Sequence, residues 1–171
     1  GICFIGERKF KDFLQQFLPA QPGKIQTLEG ITIGSHSGLM YYTMGQRQGL
    51  GIGGLQNASE QPWFVSGKDL DNNILIVTQG HDHPALFNSH CEIEGLHWIN
   101  KFDIQLPFSC TAKIRYRHQH QHCTITTIES GIATVEFKQP QRAITPGQAL
   151  VLYDDQVCLG GGTINKAFNL N

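Results

Sequence analysis

The feature that most constrains this chain is the loss of helical periodicity after Leu18, together with glycine-, proline- and aspartate-marked turns that recur between short apolar runs. Strand-like segments follow one another at Glu92 to Trp98, Phe108 to Arg117, His122 to Glu129, Ile132 to Phe137, Ala149 to Tyr153 and Gln156 to Ile164. Ser130-Gly131, Pro146-Gly147 and Asp154-Asp155 separate the later ones as turns. Short strands at this spacing predict a closed antiparallel barrel over an open sheet. The 19 glycines and seven prolines fit such a mainly β chain. Only Phe10, Phe13, Leu14, Phe17 and Leu18 fall at helical spacing, and Pro19 and Pro22 stop that helix.

Before the barrel, Gly23 to Ile33 reads as a hairpin turning at Glu29-Gly30, and Gly38 to Met44 reads as a further strand. A glycine-dense block from Gly45 to Gly54 comes next, then strands at Trp63 to Ser66 and Asn73 to Thr78 around the turn Asp69 to Asn72. The expected class is therefore a small α+β domain over 1–84 and an antiparallel β-barrel over 85–171. A chain of 171 residues with 40% hydrophobic residues can give two small domains real cores.

A formal net charge of -1 and a charged fraction of 16% exclude a global positive field, so any RNA contact must come from a local patch. The five cysteines lack the even, regular spacing of a secreted disulfide framework, which points to a reducing, cytoplasmic setting. No run approaches the apolar length of a membrane span, and no signal core opens the chain. A first residue of Gly1 suggests a piece of a longer protein.

Cys3 stands just before the predicted helix and close to Arg8 and Lys9. A helix amino terminus and nearby cations lower a thiol pKa and favour the reactive thiolate, although an apolar setting also suits a small buried hydrophobe. Cys91, Cys110, Cys123 and Cys158 lie in strand contexts and read as structural. Gly49, Gly51 and Gly54 form a loose G-x-G-x-x-G, but Leu55 to Pro62 beyond it reads as loop, whereas a dinucleotide fingerprint must open a helix. Lys113, Arg115 and Arg117 alternate with Ala112, Ile114 and Tyr116, predicting a basic stripe along one strand face; an ordinary solvated face would look the same. His118, His120 and His122, with His81 and His83, raise a metal site, yet no cysteine or carboxylate joins them at zinc spacing, and no metal is expected.

The segment Gly1-Ile2-Cys3-Phe4-Ile5-Gly6-Glu7-Arg8 resembles the signature around the second catalytic cysteine of tRNA-specific 2-thiouridylases. Leu18 to Gly23, Gly45 to Gly54, Gln79 to Pro84, Thr145 to Gln148 and Cys158 to Gly162 resemble further blocks of that family in the same order, spanning nearly the whole chain. The resemblance implies a sulfur transferase acting on C2 of the wobble uridine in tRNAs for glutamine, lysine and glutamate. It implies that Cys3 carries a persulfide and that Arg115, Tyr116 and Gln148 contact tRNA. ATP, with Mg2+, would be used by an amino-terminal domain outside this chain, which itself would hold no cofactor and be inactive alone. In the family, a first catalytic cysteine on that domain assists release and can form a disulfide with the one matching Cys3. A persulfide donor of a sulfur relay would be a protein partner. The barrel would be similar to those of translation factors. Gln48 departs from the family, which more often has a basic residue there. A noncatalytic RNA-binding module, or a docking domain for the sulfur relay, are the competing readings.

Overall fold

The computed structural model describes residues 17–52, 61–100, 104–116 and 118–170. The chain divides into two compact units between Leu86 and Phe87. The predicted helix lies outside the described residues up to Gln16, and Phe17 and Leu18 are exposed.

The first unit contains β1 (Gly23–Thr27), β2 (Thr32–His36), β3 (Trp63–Asp69) and β4 (Ile74–Gln79) in the sheet order β2-β1-β4-β3. β1 and β2 form the expected hairpin, closed by Gly30 at φ 81° with its N–H donating to the Thr27 carbonyl at 3.0 Å. β3 and β4 are antiparallel, and Asp69 holds their turn by accepting the Asn72 backbone N–H at 3.0 Å. β1 and β4 are parallel partners. Ile25, Val65, Leu75 and Val77 supply the sheet's buried side chains, over which Leu39, Tyr41, Tyr42 and Leu50 pack.

The segment from Gly38 to Met44 is not a strand. It makes a short 3-10 turn at Leu39–Tyr41, with the Gly38 N–H donating to His36 Nδ1 at 3.1 Å. Burial of Leu39, Tyr41 and Tyr42 in this apolar run comes from packing over the sheet, not from pairing within it.

The second unit is a closed barrel of β5 (Phe87–Trp98), β6 (Phe108–Lys113), β7 (Gln121–Glu129), β8 (Ile132–Arg142), β9 (Ala149–Asp154) and β10 (Val157–Phe168). Its order is β10-β5-β8-β7-β6-β9, every neighbouring pair is antiparallel, and β9 returns to β10. Ser130 and Gly131, both at positive φ, make the β7–β8 turn, as the right-handed twist of a two-residue hairpin demands. Inward alternation gives Ala133, Val135 and Phe137 from β8 and Leu150 and Leu152 from β9, closing a core with Ile93, Ile125 and Ile164.

The Gly160-Gly161-Gly162 run has a steric reason. A Cβ on Gly161 would lie 2.2 Å from the Leu150 carbonyl oxygen, and one on Gly160 would lie 2.0 Å from that of His97. β10 can approach both β9 and β5 only without side chains there.

One predicted barrel strand is shorter than its pattern. β6 ends at Lys113, and the backbone bends through Ile114 and Arg115 into a turn at Tyr116. Lys113 and Arg115 therefore do not share a single strand face, and Arg117 lies outside the described residues. No helix among the described residues is long and apolar enough to cross a membrane.

Candidate nucleic-acid interface

Arg115 leaves the end of β6 half-buried and reaches the loop that links β8 to β9. Its Nη2 donates to the Ala143 carbonyl at 2.9 Å and to Thr145 Oγ1 at 3.3 Å, while Thr145 Oγ1 donates to the same carbonyl at 2.9 Å. Ala143 adopts φ 54°, an uncommon conformation for a residue with a side chain, and Arg115 binds its carbonyl. The loop then turns at Pro146-Gly147. Gly147 has φ 81°, and the Gln148 N–H donates to the Thr145 carbonyl at 3.2 Å. Proline followed by a glycine at positive φ is the sequence such a turn requires. Gly147 N–H to the Ile164 carbonyl and Ile164 N–H to the Gln148 carbonyl, both 2.8 Å, fasten the turn to β10.

The fold thus brings Arg115 onto the Thr145–Gln148 block, although the two lie far apart in sequence. Gln148 is exposed, and Tyr116, 93% exposed, presents nearly its whole ring to solvent. Arg142, which sequence reading passed over, closes β8 beside this group. Burial, and after it the charge of Arg142, lowers the Arg115 pKa, while burial and then Arg115 lower that of His118. Arg115 therefore lies in the field of Arg142, and His118 in that of Arg115. The signal for Arg142 was its place immediately before the Ala143–Gln148 block, but nothing local ties it to Arg115.

Chemically, the arrangement offers guanidinium groups for phosphate, an exposed ring for stacking and an amide for a base or ribose edge. Arg115 also has work inside the fold, because its contacts to Ala143 and Thr145 help hold the loop.

The glycine block is a turn-rich segment against β3. Gly45 N–H donates to the Val65 carbonyl at 2.8 Å, Val65 N–H donates to that of Gln46 at 3.0 Å, and Arg47 is exposed. Gly49 and Gly51 have positive φ, and Gly54 lies outside the described residues. Cys3, with Arg8 and Lys9, also lies outside them. His118 and His120 sit in the β6–β7 connection and His122 within β7. Among the described residues no three His, Cys, Asp or Glu side chains gather as metal ligands. Of the four described cysteines, Cys91 and Cys123 are buried and all are free thiols. Burial, and then Glu92, pushes the Cys91 thiol up to about 12.

Comparison with known proteins divides along the same two units. Residues 11–79 match the tRNA methyl transferase PRC-barrel domain, and residues 88–164 match the aminomethyltransferase beta-barrel domain. The first of these domain models is named for tRNA methyl transferases and the second for aminomethyltransferases. The tRNA-specific 2-thiouridylase MnmA of Marinomonas sp. (strain MWYL1) is 58% identical over 169 residues, covering 99% of this chain and 43% of the relative. Those of Pseudomonas putida (strain W619) and Stutzerimonas stutzeri (strain A1501) are 58% and 56% identical, each over 98% of this chain and 44% of the relative. The chain belongs to the tRNA-specific 2-thiouridylase family, and it spans less than half the length of these curated relatives.

Proposed function

We propose that the chain is the sulfur-delivering and RNA-holding portion of an enzyme that makes 2-thiouridine at the wobble position of tRNAs for glutamine, lysine and glutamate. The observation that carries this is 58% identity over 99% of the chain to a protein named for tRNA 2-thiolation. The Cys3 segment precedes residues 11–79, which the PRC-barrel model matches, and the β-barrel carries Arg115, Tyr116 and Gln148.

In this reading Cys3 is the catalytic residue, and its persulfide delivers the terminal sulfur to the activated C2 of uridine. A thiolate at Cys3, favoured by the neighbouring Arg8 and Lys9, is the form that accepts sulfur from a persulfide donor protein. ATP with Mg2+ belongs to the part of the family's length that this chain does not span, and the setting is the cytoplasm. The barrel's task is positioning: Arg115 takes phosphate, Tyr116 stacks and Gln148 reads a base or ribose edge. The exposed ring of Tyr116 and the joining of Arg115 to the Thr145–Gln148 loop support that division.

The purified 171-residue chain is expected neither to hydrolyse ATP nor to thiolate tRNA when given a sulfur donor. Turnover by it would sink the division of labour. In the full-length enzyme, Cys3→Ser is expected to abolish thiolation while tRNA affinity stays within about twofold, because a hydroxyl cannot carry transferable sulfur. Retained thiolation would remove Cys3 from the catalytic role.

A further inference from the structure

Cys110 on β6 and Cys123 on β7 are direct cross-strand partners, and their Sγ atoms lie 3.7 Å apart. Residues directly opposite on antiparallel strands have Cα atoms about 4.5–5.5 Å apart, within the range of about 4.4–6.8 Å that a disulfide spans. The register therefore puts the two cysteines in the backbone relation that a disulfide requires, with the sulfurs already in contact. Cys123 is buried, but Cys110 is only half-buried, and both line an open cleft of about 360 Å³ whose walls include His122, Glu136 and Lys138.

We propose that Cys110 and Cys123 form an oxidisable dithiol on the barrel wall, a modification site that a low-molecular-weight disulfide converts to an internal disulfide. Cys110 attacks first. Its thiolate forms a bond to one sulfur of the small disulfide and expels the other half as a thiolate, which takes up a proton. Cys123, on losing its own proton, then attacks Cys110 Sγ and expels the second half. Two protein thiols are oxidised, and one small disulfide is reduced to two thiols.

The two cysteines are suited to these unequal parts. The contact with Cys123 favours the Cys110 thiolate and holds that pKa below its ordinary value, against burial and the charge of Asp154. The same contact and then burial push the Cys123 thiol up. The bond would close the base of the hairpin whose connection carries Arg115 and Tyr116. The proposal does not depend on the RNA reading, since it needs only the barrel.

The test uses the 171-residue chain under native conditions with glutathione disulfide, followed by acid quench, alkylation in denaturant, proteolysis and mass spectrometry. The expected product is a peptide pair linked through Cys110 and Cys123 with no glutathione retained, while Cys91 stays alkylatable. Cys123→Ala is expected to trap glutathione on Cys110, and Cys110→Ala is expected to leave Cys123 unmodified. A wild-type chain in which both cysteines remain free, or in which Cys110 keeps glutathione beside a free Cys123, would overturn the proposal. Should either variant not fold, the wild-type result decides alone.

Discussion

The barrel and the four-stranded sheet solve the same problem, burying one face of each strand, in opposite ways. The barrel closes on itself through antiparallel neighbours alone, and its tightest point is the glycine run of β10 squeezed between β9 and β5. Among the described residues the first unit's sheet stays open, joins β1 to β4 in parallel, and is covered by an irregular segment that packs beside the buried His36. The difference shows where each unit is vulnerable. The barrel has no room for a side chain along the glycine run of β10, whereas the sheet unit has one comparably tight point, Gly23, whose Cβ would lie 2.1 Å from the Asn73 carbonyl oxygen, and depends besides on a loop and on one titratable side chain.

The sharpest way to break the comparison is to add one methyl group to each unit. Gly161→Ala is expected to cost more than about 3 kcal/mol, because its Cβ meets a backbone carbonyl at 2.2 Å that no rotamer can relieve. Gly30→Ala, where no atom lies within 4 Å and only the positive φ resists, is expected to cost about 1–2 kcal/mol. Denaturant titration of both variants checks this, and equal losses would remove the distinction between a steric and a conformational requirement.

A smaller effect is expected from the loop that Arg115 holds. Arg115→Ala removes two hydrogen bonds from a half-buried guanidinium and is expected to cost about 1–2 kcal/mol of barrel stability. Tyr116→Ala, at a side chain 93% exposed, is expected to change stability by less than about 0.5 kcal/mol. Thermal melts of the pair would show whether Arg115 has a role inside the fold.

Smallest is a pH effect confined to the sheet unit. His36 Nε2 donates to the Asn73 carbonyl at 3.1 Å while Nδ1 accepts the Gly38 N–H at 3.1 Å, so the neutral ring fits. Burial lowers its pKa below the ordinary 6.5, and the bond to Asn73 only partly offsets this. The unfolded chain then binds the proton more readily. Stability from His36 is complete above pH 6.5 and is lost as pH falls through the depressed folded value. Melts from pH 8 to 5 on wild type and His36→Gln are expected to converge toward acid; parallel curves would remove His36 from the pH response.

Legibility in the sequence differs between the two units as well. β7, β8 and β9 could be read because barrel walls have one wet and one dry face, so Ile125, Val135 and Leu152 appear at a period of two. The parallel pairing of β1 with β4 could not be read, since it depends on partners about fifty positions apart and has no local signature. Alternation misled at the end of β6. Ile114 is buried and Tyr116 is 93% exposed, although a strand would put them on one face, because the backbone bends between them while the apolar pattern continues. The proposed contact residues Arg115, Tyr116 and Gln148 come from the family resemblance, while their neighbour Arg142 emerges only once the end of β8 meets the bend after β6. The intrachain bonds of Arg115 were equally invisible, because Ala143 and Thr145 reach it through the fold rather than through neighbouring positions.

The most direct test of the central claim, that the barrel grips RNA through the Arg115–Tyr116 face, is tRNA affinity across a salt series for wild type, Arg115→Ala and Tyr116→Ala. Tyr116→Ala is expected to weaken binding by about 1–3 kcal/mol with an unchanged salt slope, because stacking releases few counterions. Arg115→Ala is expected to weaken it by about 1–3 kcal/mol and flatten the slope, because a phosphate contact is lost. Affinity and slope unchanged in both variants, with their folds intact, would contradict the claim and move the search for the RNA surface to Arg47 and the glycine block.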